Sequence, residues 1–329
     1  MNSSKPRYNS VTEKEVAPNE TLKLVSIVLA TYNGEAFLAK QLESLFNQTY
    51  SNIEIIAVDD GSKDNTVSIL HEHALRHPNM KVYVNDMNLG FIKNFEKGCS
   101  LSCGDLIALC DQDDYWDENK IKKMAAAIED HPIIYCDSLV CNDNLEPTGT
   151  KISDLVNFRS WSNPLQLAVF CRIYAHAIMF TKSFFNKAVP FLDVIPPDWW
   201  LPYLSTFYGG IKYFPEPLIL YRQHAGNVTG VIGGKGKKNR EVSKAERTRL
   251  DKIKIRTRVN AFYNACPDHF DEEKKVLQSL VKTYENFSLE NNLNRFLLFL
   301  RYRDTFLSVK KHSALHRFLF CFKMFVKIK

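Results

Sequence analysis

Residues 107–117 read Ile-Ala-Leu-Cys-Asp-Gln-Asp-Asp-Tyr-Trp-Asp. The apolar run 106–110 has the length and composition of a central strand, and Asp111, Asp113 and Asp114 crowd at its C-terminal end. Like charges packed this closely repel, and their pKa values rise unless a positive charge sits among them. A divalent cation is one answer, and hard oxygen donors with no His close by in sequence favour Mg²⁺ or Mn²⁺. A solvated acidic turn capping a helix that begins near Glu118 fits the same spacing. The stretch alone does not choose between them.

The same design, an apolar run ending in polar residues, occurs twice upstream. Residues 25–30 end in Thr31-Tyr32-Asn33, and 53–58 end in Asp59-Asp60-Gly61-Ser62. Between them Phe37, Leu38, Leu42, Leu45 and Phe46 keep helical spacing over 35–47. Asp64 offers an N-cap to a helix over 65–76, followed by a strand at 82–85 and a helix at 92–102. This β-α-β-α-β-α-β order predicts an α/β fold with a mostly parallel sheet and helices on both faces. Ligands of such sheets bind outside the C-terminal ends of the strands, where the three polar motifs converge.

Beyond residue 130 the pattern loosens. Strands are expected at 133–137, 174–180, 211–214 and 218–221, the last two parted by Pro215-Glu216-Pro217. A short helix is expected at 165–170, and another at 198–207 that Pro202 should hold to its early turns. The Gly- and Lys-rich stretch 230–240 reads as a mobile loop. The final hundred residues are helical in pattern, with Phe296, Phe299, Leu300, Arg303, Phe306 and Leu307 at i, i+3, i+4 spacing.

Length and composition set outer limits. The 329 residues hold one large domain or two modest ones, and 45% hydrophobic with 24% charged residues is ordinary for a globular protein. No stretch approaches the ~20 apolar residues that span a bilayer, and the polar first twenty residues lack a signal-peptide core. A cytoplasmic protein is expected. Eight cysteines without a CxxC pair read as reduced core thiols. The net charge is +6, yet the segment from Arg295 to Lys329 has nine Lys or Arg and one acid, leaving the other 294 residues near −2. A nucleic-acid partner is therefore not expected.

Taken together, Val25-Ser26-Ile27-Val28-Leu29-Ala30-Thr31-Tyr32-Asn33, Val58-Asp59-Asp60-Gly61-Ser62-Lys63-Asp64 and Asp111-Gln112-Asp113-Asp114 resemble a family 2 glycosyltransferase of the GT-A fold. Pro197-Asp198-Trp199-Trp200 and Tyr221-Arg222-Gln223-His224 carry the likeness on to about residue 230. The Asp-Gln-Asp-Asp-Tyr-Trp and Asp-Trp-Trp forms resemble the rhamnosyltransferase-like branch that builds bacterial surface polysaccharides. The resemblance implies transfer, with inversion, of one sugar from a UDP- or dTDP-sugar to a saccharide acceptor, typically lipid-linked, with Mn²⁺ or Mg²⁺ as cofactor.

It also implies roles. Tyr32 stacks on the base, Asp59 or Asp60 accepts its N3–H, and Thr31, Asn88, Lys93 and Asp111 complete the nucleotide site. Asp113 binds the metal, with Asp111 and His224 as further ligands. Arg222 and His224 face the diphosphate. Asp198 is the base, in apolar surroundings that raise its pKa toward the useful range. Trp199 and Trp200 form a sugar wall or simply pack. Many relatives have a Gly where this chain reads Tyr174-Ala175-His176-Ala177, so the acceptor side is expected to differ.

The expected organisation is a disordered segment 1–21, a catalytic domain 22–230, a mobile loop 231–245 and a helical region 246–329. Within the catalytic domain, 22–117 forms the nucleotide-sugar half and 118–230 the acceptor half. The last region ends in a tail where seven Phe and one Tyr interleave with basic residues. Such a tail suits the anionic inner face of the cell membrane, making the protein peripheral. Packing on the domain or in a homodimer is the other use of the same face. Two further function classes stay open. A nucleotidyltransferase would need a Gly-rich phosphate loop that Ala30-Thr31-Tyr32-Asn33-Gly34 does not supply. A non-catalytic nucleotide-sugar binding module would tolerate loss of Asp198 or the Asp-x-Asp pair, and both are present.

Overall fold

The computed structural model describes residues 22–224, 227 and 243–326. The expected disordered segment 1–21 and the basic loop residues Lys235, Lys237, Lys238 and Arg240 lie outside the described residues.

The first half follows the sequence pattern closely. Strands β1 (Val25–Thr31), β2 (Ile53–Asp59), β3 (Met80–Val84) and β4 (Leu106–Asp111) alternate with helices α1 (Leu38–Phe46), α2 (Thr66–Arg76) and α3 (Phe91–Leu101). They pair in parallel in the order β3-β2-β1-β4. After the two-residue β5 (Tyr115–Trp116) and α4 (Lys120–Ala127) come β6 (Ile133–Cys141), β7 (Pro147–Lys151), α5 (Ile152–Leu155), β8 (Ile178–Thr181), α6 (Lys182–Ala188), α7 (Pro197–Ser205) and β9 (Ile211–Arg222). These extend the sheet to nine strands in the order β3-β2-β1-β4-β8-β6-β9-β5, with β7 beside β6. The parallel arrangement holds through β4. Beyond it β8 runs antiparallel to both β4 and β6, while β9 is parallel to β6 and antiparallel to β5.

Side-chain alternation explains why the sheet has two cores. Val25, Ile27 and Leu29 of β1, with Leu106, Ala108 and Cys110 of β4, face a core built on α1, α2 and α4. Val28, Ile107 and Leu109 face the other way, onto α3, α6 and α7. The C-terminal helices complete that second core. They are α8 (Lys244–Ala265), α9 (Asp271–Glu285), α10 (Leu289–Arg301), α11 (Arg303–Phe306) and α12 (Ala314–Val326). They add Phe262, Leu280, Phe299, Phe306 and Met324 to it. Each fully buried Phe contributes about 1.5–3 kcal/mol, so the C-terminal region is part of the fold and not an appendage.

Four local readings change. The expected strands 211–214 and 218–221 are one strand, β9. Its register against β6 slips between Cys136 and Asp137, which stand opposite Phe214 and Pro217, so the prolines, which lack N–H donors, fall in an irregularity and do not break the strand. The stretch 174–180 forms a single 3₁₀ turn, Ala175–Ala177, before β8. The helix expected at 165–170 is only a 3₁₀ turn, Pro164–Gln166, capped by the Asn163 side chain. Pro202 does not stop α7. It removes the N–H that would reach the Asp198 carbonyl, and Cys171 Sγ donates to that oxygen instead at 3.2 Å.

The aromatic tail divides. Phe299 and Phe306 are fully buried, Phe296 and Phe320 are half-buried, and Phe318 and Phe322 are exposed. Arg295 is buried, donating from Nη1 to Thr283 O at 2.6 Å. All eight cysteines are free thiols, six of them buried.

Candidate active site

Four strand ends build the site. At the end of β1, Tyr32 N donates to Gln112 Oε1 (2.8 Å) and Gln112 Nε2 donates back to Tyr32 O (3.1 Å), tying the first loop to the Asp-Gln-Asp-Asp turn. A Cβ on Gly34 would lie 2.2 Å from Gln112 Oε1, so glycine is what lets that amide approach. The Tyr32 side chain is left 46% exposed, with its ring available to a ligand.

At the end of β2, Asp59 is buried and accepts four hydrogen bonds. They come from Thr31 Oγ1 (3.0 Å), Ser62 Oγ (2.5 Å), Gly61 N (3.0 Å) and Ser62 N (2.8 Å). Gly61 has φ +79°, which closes this turn. Four bonds fill a carboxylate's acceptor capacity. Asp60 takes three, from Asn85 Nδ2, Leu89 N and Gly90 N, at 2.8–2.9 Å. Of the pair expected at the base N3–H, Asp59 is saturated by the protein and Asp60 retains one acceptor position. Asn88 bonds Asp60 O at 3.2 Å. Lys93 turns away from the strand ends, donating to Glu96 and to Phe191 O, both at 2.7 Å, beside Asp193. Its expected place at the nucleotide is taken by this structural tie.

The carboxylates at the end of β4 separate into two sets, because β9 folds back over them. β5 pairs with β9 (Tyr115 with Leu220, Trp116 with Ile219), and this brings Arg222 and His224 onto the turn. His224 Nε2 lies 2.8 Å from Asp113 Oδ2, with Phe37 against the imidazole at 4.3 Å. Arg222 N donates to Asp114 Oδ1 (3.1 Å), its Nε to Asp113 O (2.7 Å) and its Nη1 to Asp143 O. Nη2 of Arg222 is buried without a hydrogen-bond partner among the described residues.

Behind this rim sits a pair that the sequence pattern did not single out. His176 Nδ1 lies 2.9 Å from Asp114 Oδ2 and 3.6 Å from Asp111 Oδ2. Asp114 and His176 are buried, whereas Asp111 is open to solvent on one side. Burial raises the Asp114 carboxyl above its ordinary range, against the opposing pull of His176. Burial works against charge on His176, but Asp114 and Asp111 overcome it and hold the imidazolium above its usual pKa. Asp111, Asp114 and His176 each offer a ligand atom within 4.8 Å of the others. Lys120 closes the back of the cluster. Fully buried, it donates to His176 O at 2.8 Å with its ammonium 3.0 Å from the centre of the Trp116 ring, and burial pushes its pKa down to about 8.

Asp198 is the second residue of α7, in its positive N-terminal turn. Desolvation, reinforced by the Asp111 carboxylate, pushes its pKa up to about 7, while His176 and the N–H groups of Asp198 and Ala175 pull the other way. The two tryptophans beside it pack. Trp200 donates to Ala188 O at 3.0 Å and stacks on Phe262. Trp199 donates to Leu167 O at 2.6 Å, with the Arg258 guanidinium 4.2 Å from its ring centre. Neither offers a free sugar wall.

Comparisons with known proteins point one way. The family model described as Glycosyl transferase family 2 matches residues 26–185. An uncharacterized glycosyltransferase of Haemophilus influenzae is 27% identical over 89% of this chain and 95% of its own length. The Escherichia coli UDP-Glc:alpha-D-GlcNAc-diphosphoundecaprenol beta-1,3-glucosyltransferase WfaP is 30% identical over 63% of this chain and 80% of its own. The crystal structure of S. aureus TarS 1–349 in complex with UDP-GlcNAc aligns with a TM-score of 0.57 at 16% identity, covering 93% of this chain and 81% of that one. That likeness identifies the fold as GT-A.

Proposed function

Because this chain belongs to glycosyl transferase family 2, we propose that it moves one sugar, with inversion, from a UDP- or dTDP-sugar to a lipid-linked saccharide in bacterial surface-polysaccharide synthesis. One observation carries the reading. The turn after β4 gathers Asp113–His224 at 2.8 Å, the Nη2 of Arg222 that has no partner among the described residues, and an Asp111 carboxylate close enough to Asp198 to raise its pKa. On this reading donor and acceptor would meet at this turn.

The donor set, hard carboxylates with imidazole, fits Mn²⁺ or Mg²⁺. Asp113, His224 and the open side of Asp111 would hold it at the rim, and the buried Asp114–His176 pair would brace them. A bound metal supplies Lewis-acid stabilisation of the departing diphosphate. Arg222 Nη2 would donate to the same phosphates, and Tyr32 would stack on the base. Asp198, ionised at about pH 7 and above, takes the proton from the acceptor hydroxyl as that oxygen attacks the anomeric carbon. Attack on the face opposite the leaving group inverts the configuration.

The acceptor is proposed to come from the membrane. No helix among the described residues is long and apolar enough to cross one. Instead α12 exposes Leu315, Phe318, Leu319 and Phe322 along one side, next to Lys323, a combination that suits an anionic lipid surface on the inner face. WfaP, by its name, acts on a diphosphoundecaprenol-linked sugar. The test is a panel of UDP- and dTDP-sugars with Mn²⁺, read by release of nucleoside diphosphate. One donor should stand out. Tight binding of every donor with no release from any would leave a binding module in place of an enzyme.

A further inference from the structure

Helical spacing groups Phe37 with Leu38, Leu42 and Leu45, and the three leucines do enter the core built on α1, α2 and α4. Phe37 does not. Its side chain belongs to none of the hydrophobic clusters among the described residues and stays half-buried. Nor does it serve its own helix. Phe37 stands at the N-cap of α1 and makes no side-chain capping bond, at a position where Ser, Thr, Asp or Asn would satisfy an open N–H. A large aromatic that forgoes both core and cap breaks a local rule, and such breaks gather at functional positions.

What the ring touches is the end of β9. The His224 imidazole lies 4.3 Å from it, centre to centre, and the Arg222 guanidinium carbon lies 4.7 Å from the same centre. The second distance is within the ~6 Å at which an aromatic face attracts a cation. Three contacts therefore fix the guanidinium: the Phe37 ring, Asp113 O at Nε and Asp143 O at Nη1. They leave Nη2 buried with no hydrogen-bond partner among the described residues, a donor that a ligand oxygen would satisfy. His224 is fixed by the same ring and by Asp113 Oδ2, 2.8 Å from its Nε2. The loop 32–37 thus carries the exposed Tyr32 ring at one end and the ring against Arg222 and His224 at the other. That is the order of base and diphosphate in a nucleotide.

We propose that Phe37 is a positioning residue for the leaving group: its ring seats the Arg222 guanidinium and the His224 imidazole so that both face the diphosphate of the donor. The inference rests on the donor reading given above and adds to it a residue outside the Asp-x-Asp turn. Phe37 bonds no phosphate itself and acts through Arg222 and His224. Leucine would fill part of the same space without a π face, leaving the guanidinium free to turn from the phosphates.

The test uses the full chain with Mn²⁺ and two probes, UDP and uridine, in calorimetric titrations. Phe37→Leu should weaken UDP about tenfold and leave uridine unchanged, because only the diphosphate meets the seated pair. Phe37→Tyr keeps the ring and should bind UDP as wild type does. In an Arg222→Gln background, Phe37→Leu should cost UDP far less than it does alone, since little is then left to position. The melting temperature of Phe37→Leu should stay near that of wild type, the ring lying outside the core. Phe37→Met, with a flexible apolar chain, carries the same comparison where leucine is not tolerated. Equal UDP affinity in wild type and Phe37→Leu overturns the proposal. So does a parallel loss of UDP and uridine, or a loss that Phe37→Tyr shares, either of which would make the ring a packing element. If the UDP contrast appears but the donor panel shows no release, the enzymatic reading fails and the seating of the diphosphate stands. If the panel succeeds and Phe37→Leu binds UDP as wild type does, the reverse holds.

Discussion

Asp198 links activity and stability with opposite signs. As the proposed base it must be ionised, so kcat/KM should climb as pH rises through about 7, and Asp198→Asn should cut turnover by ~10² or more while UDP affinity holds. A matching fall in UDP affinity would make Asp198 a structural cap. The same raised pKa makes the ionised group a burden on the fold. The folded state holds the proton more tightly than the unfolded chain, whose Asp titrates near 3.9, so the contribution of this group to stability is full below pH ~4 and is lost as pH rises to about 7. Asp198→Asn should therefore be more stable than wild type by roughly 1–3 kcal/mol at pH 8, the gap closing below pH 4 in paired thermal melts. Lys120 shows a related tension. Lys120→Met relieves a buried charge and also removes the hydrogen bond to His176 O, each effect of order 1–3 kcal/mol, so stability should change little. Turnover should still fall about tenfold or more, because His176 loses its tether. A large stability loss with activity lost only in proportion would reduce Lys120 to packing. Nothing in the sequence marked this lysine: on a helix of spacing Lys120, Lys122 and Lys123 it reads as a solvated face, and only the tertiary fold buries it.

Elements differ in how far sequence exposes them. The four parallel strands and their helices were legible because each buries a continuous apolar run, and their polar ends announced the site. β5 was not, since two residues carry no periodicity. Yet β5 is what lets β9 place His224 on Asp113, so the partners of the Asp-x-Asp turn were legible only through family resemblance. The pattern of three carboxylates likewise gave no sign that Asp114 would be the buried one and His176 its partner. The aromatic tail was legible as amphipathic, but composition could not separate its core residues from its exposed ones. That division is measurable. Phe306→Ala should cost about 3–5 kcal/mol and lower Tm. Phe318→Ser with Phe322→Ser should shift stability far less and reduce flotation on anionic vesicles. If the double variant floats like wild type but elutes as a smaller species, the stripe is a dimer contact.

At the scale of the whole molecule, the proposed function divides the labour between the two halves of the sheet: the parallel half would shape the donor side, and the mixed half would bring in Asp198, Arg222 and His224. If the rim holds a divalent cation, EDTA should abolish transfer and Mn²⁺ should restore it; full activity in EDTA would leave Arg222 to stabilise the leaving group alone. The excess positive charge near α12 should make vesicle attachment weaken as salt rises, each Lys or Arg near the surface contributing roughly 1 kcal/mol. The pairing of β5 with β9 has a consequence for synthesis. During translation, residues 25–111 can pair into the parallel half as soon as they emerge, because β1, β2, β3 and β4 pair with one another within that span. Asp113 waits for His224, 111 positions later. Closing so long a loop adds little free energy beyond that of a short one, so the delay is one of time and not of stability. A ribosome-bound nascent chain could thus recognise a nucleotide before it could cleave a sugar from it, and donor would be safe from idle hydrolysis until β9 had docked.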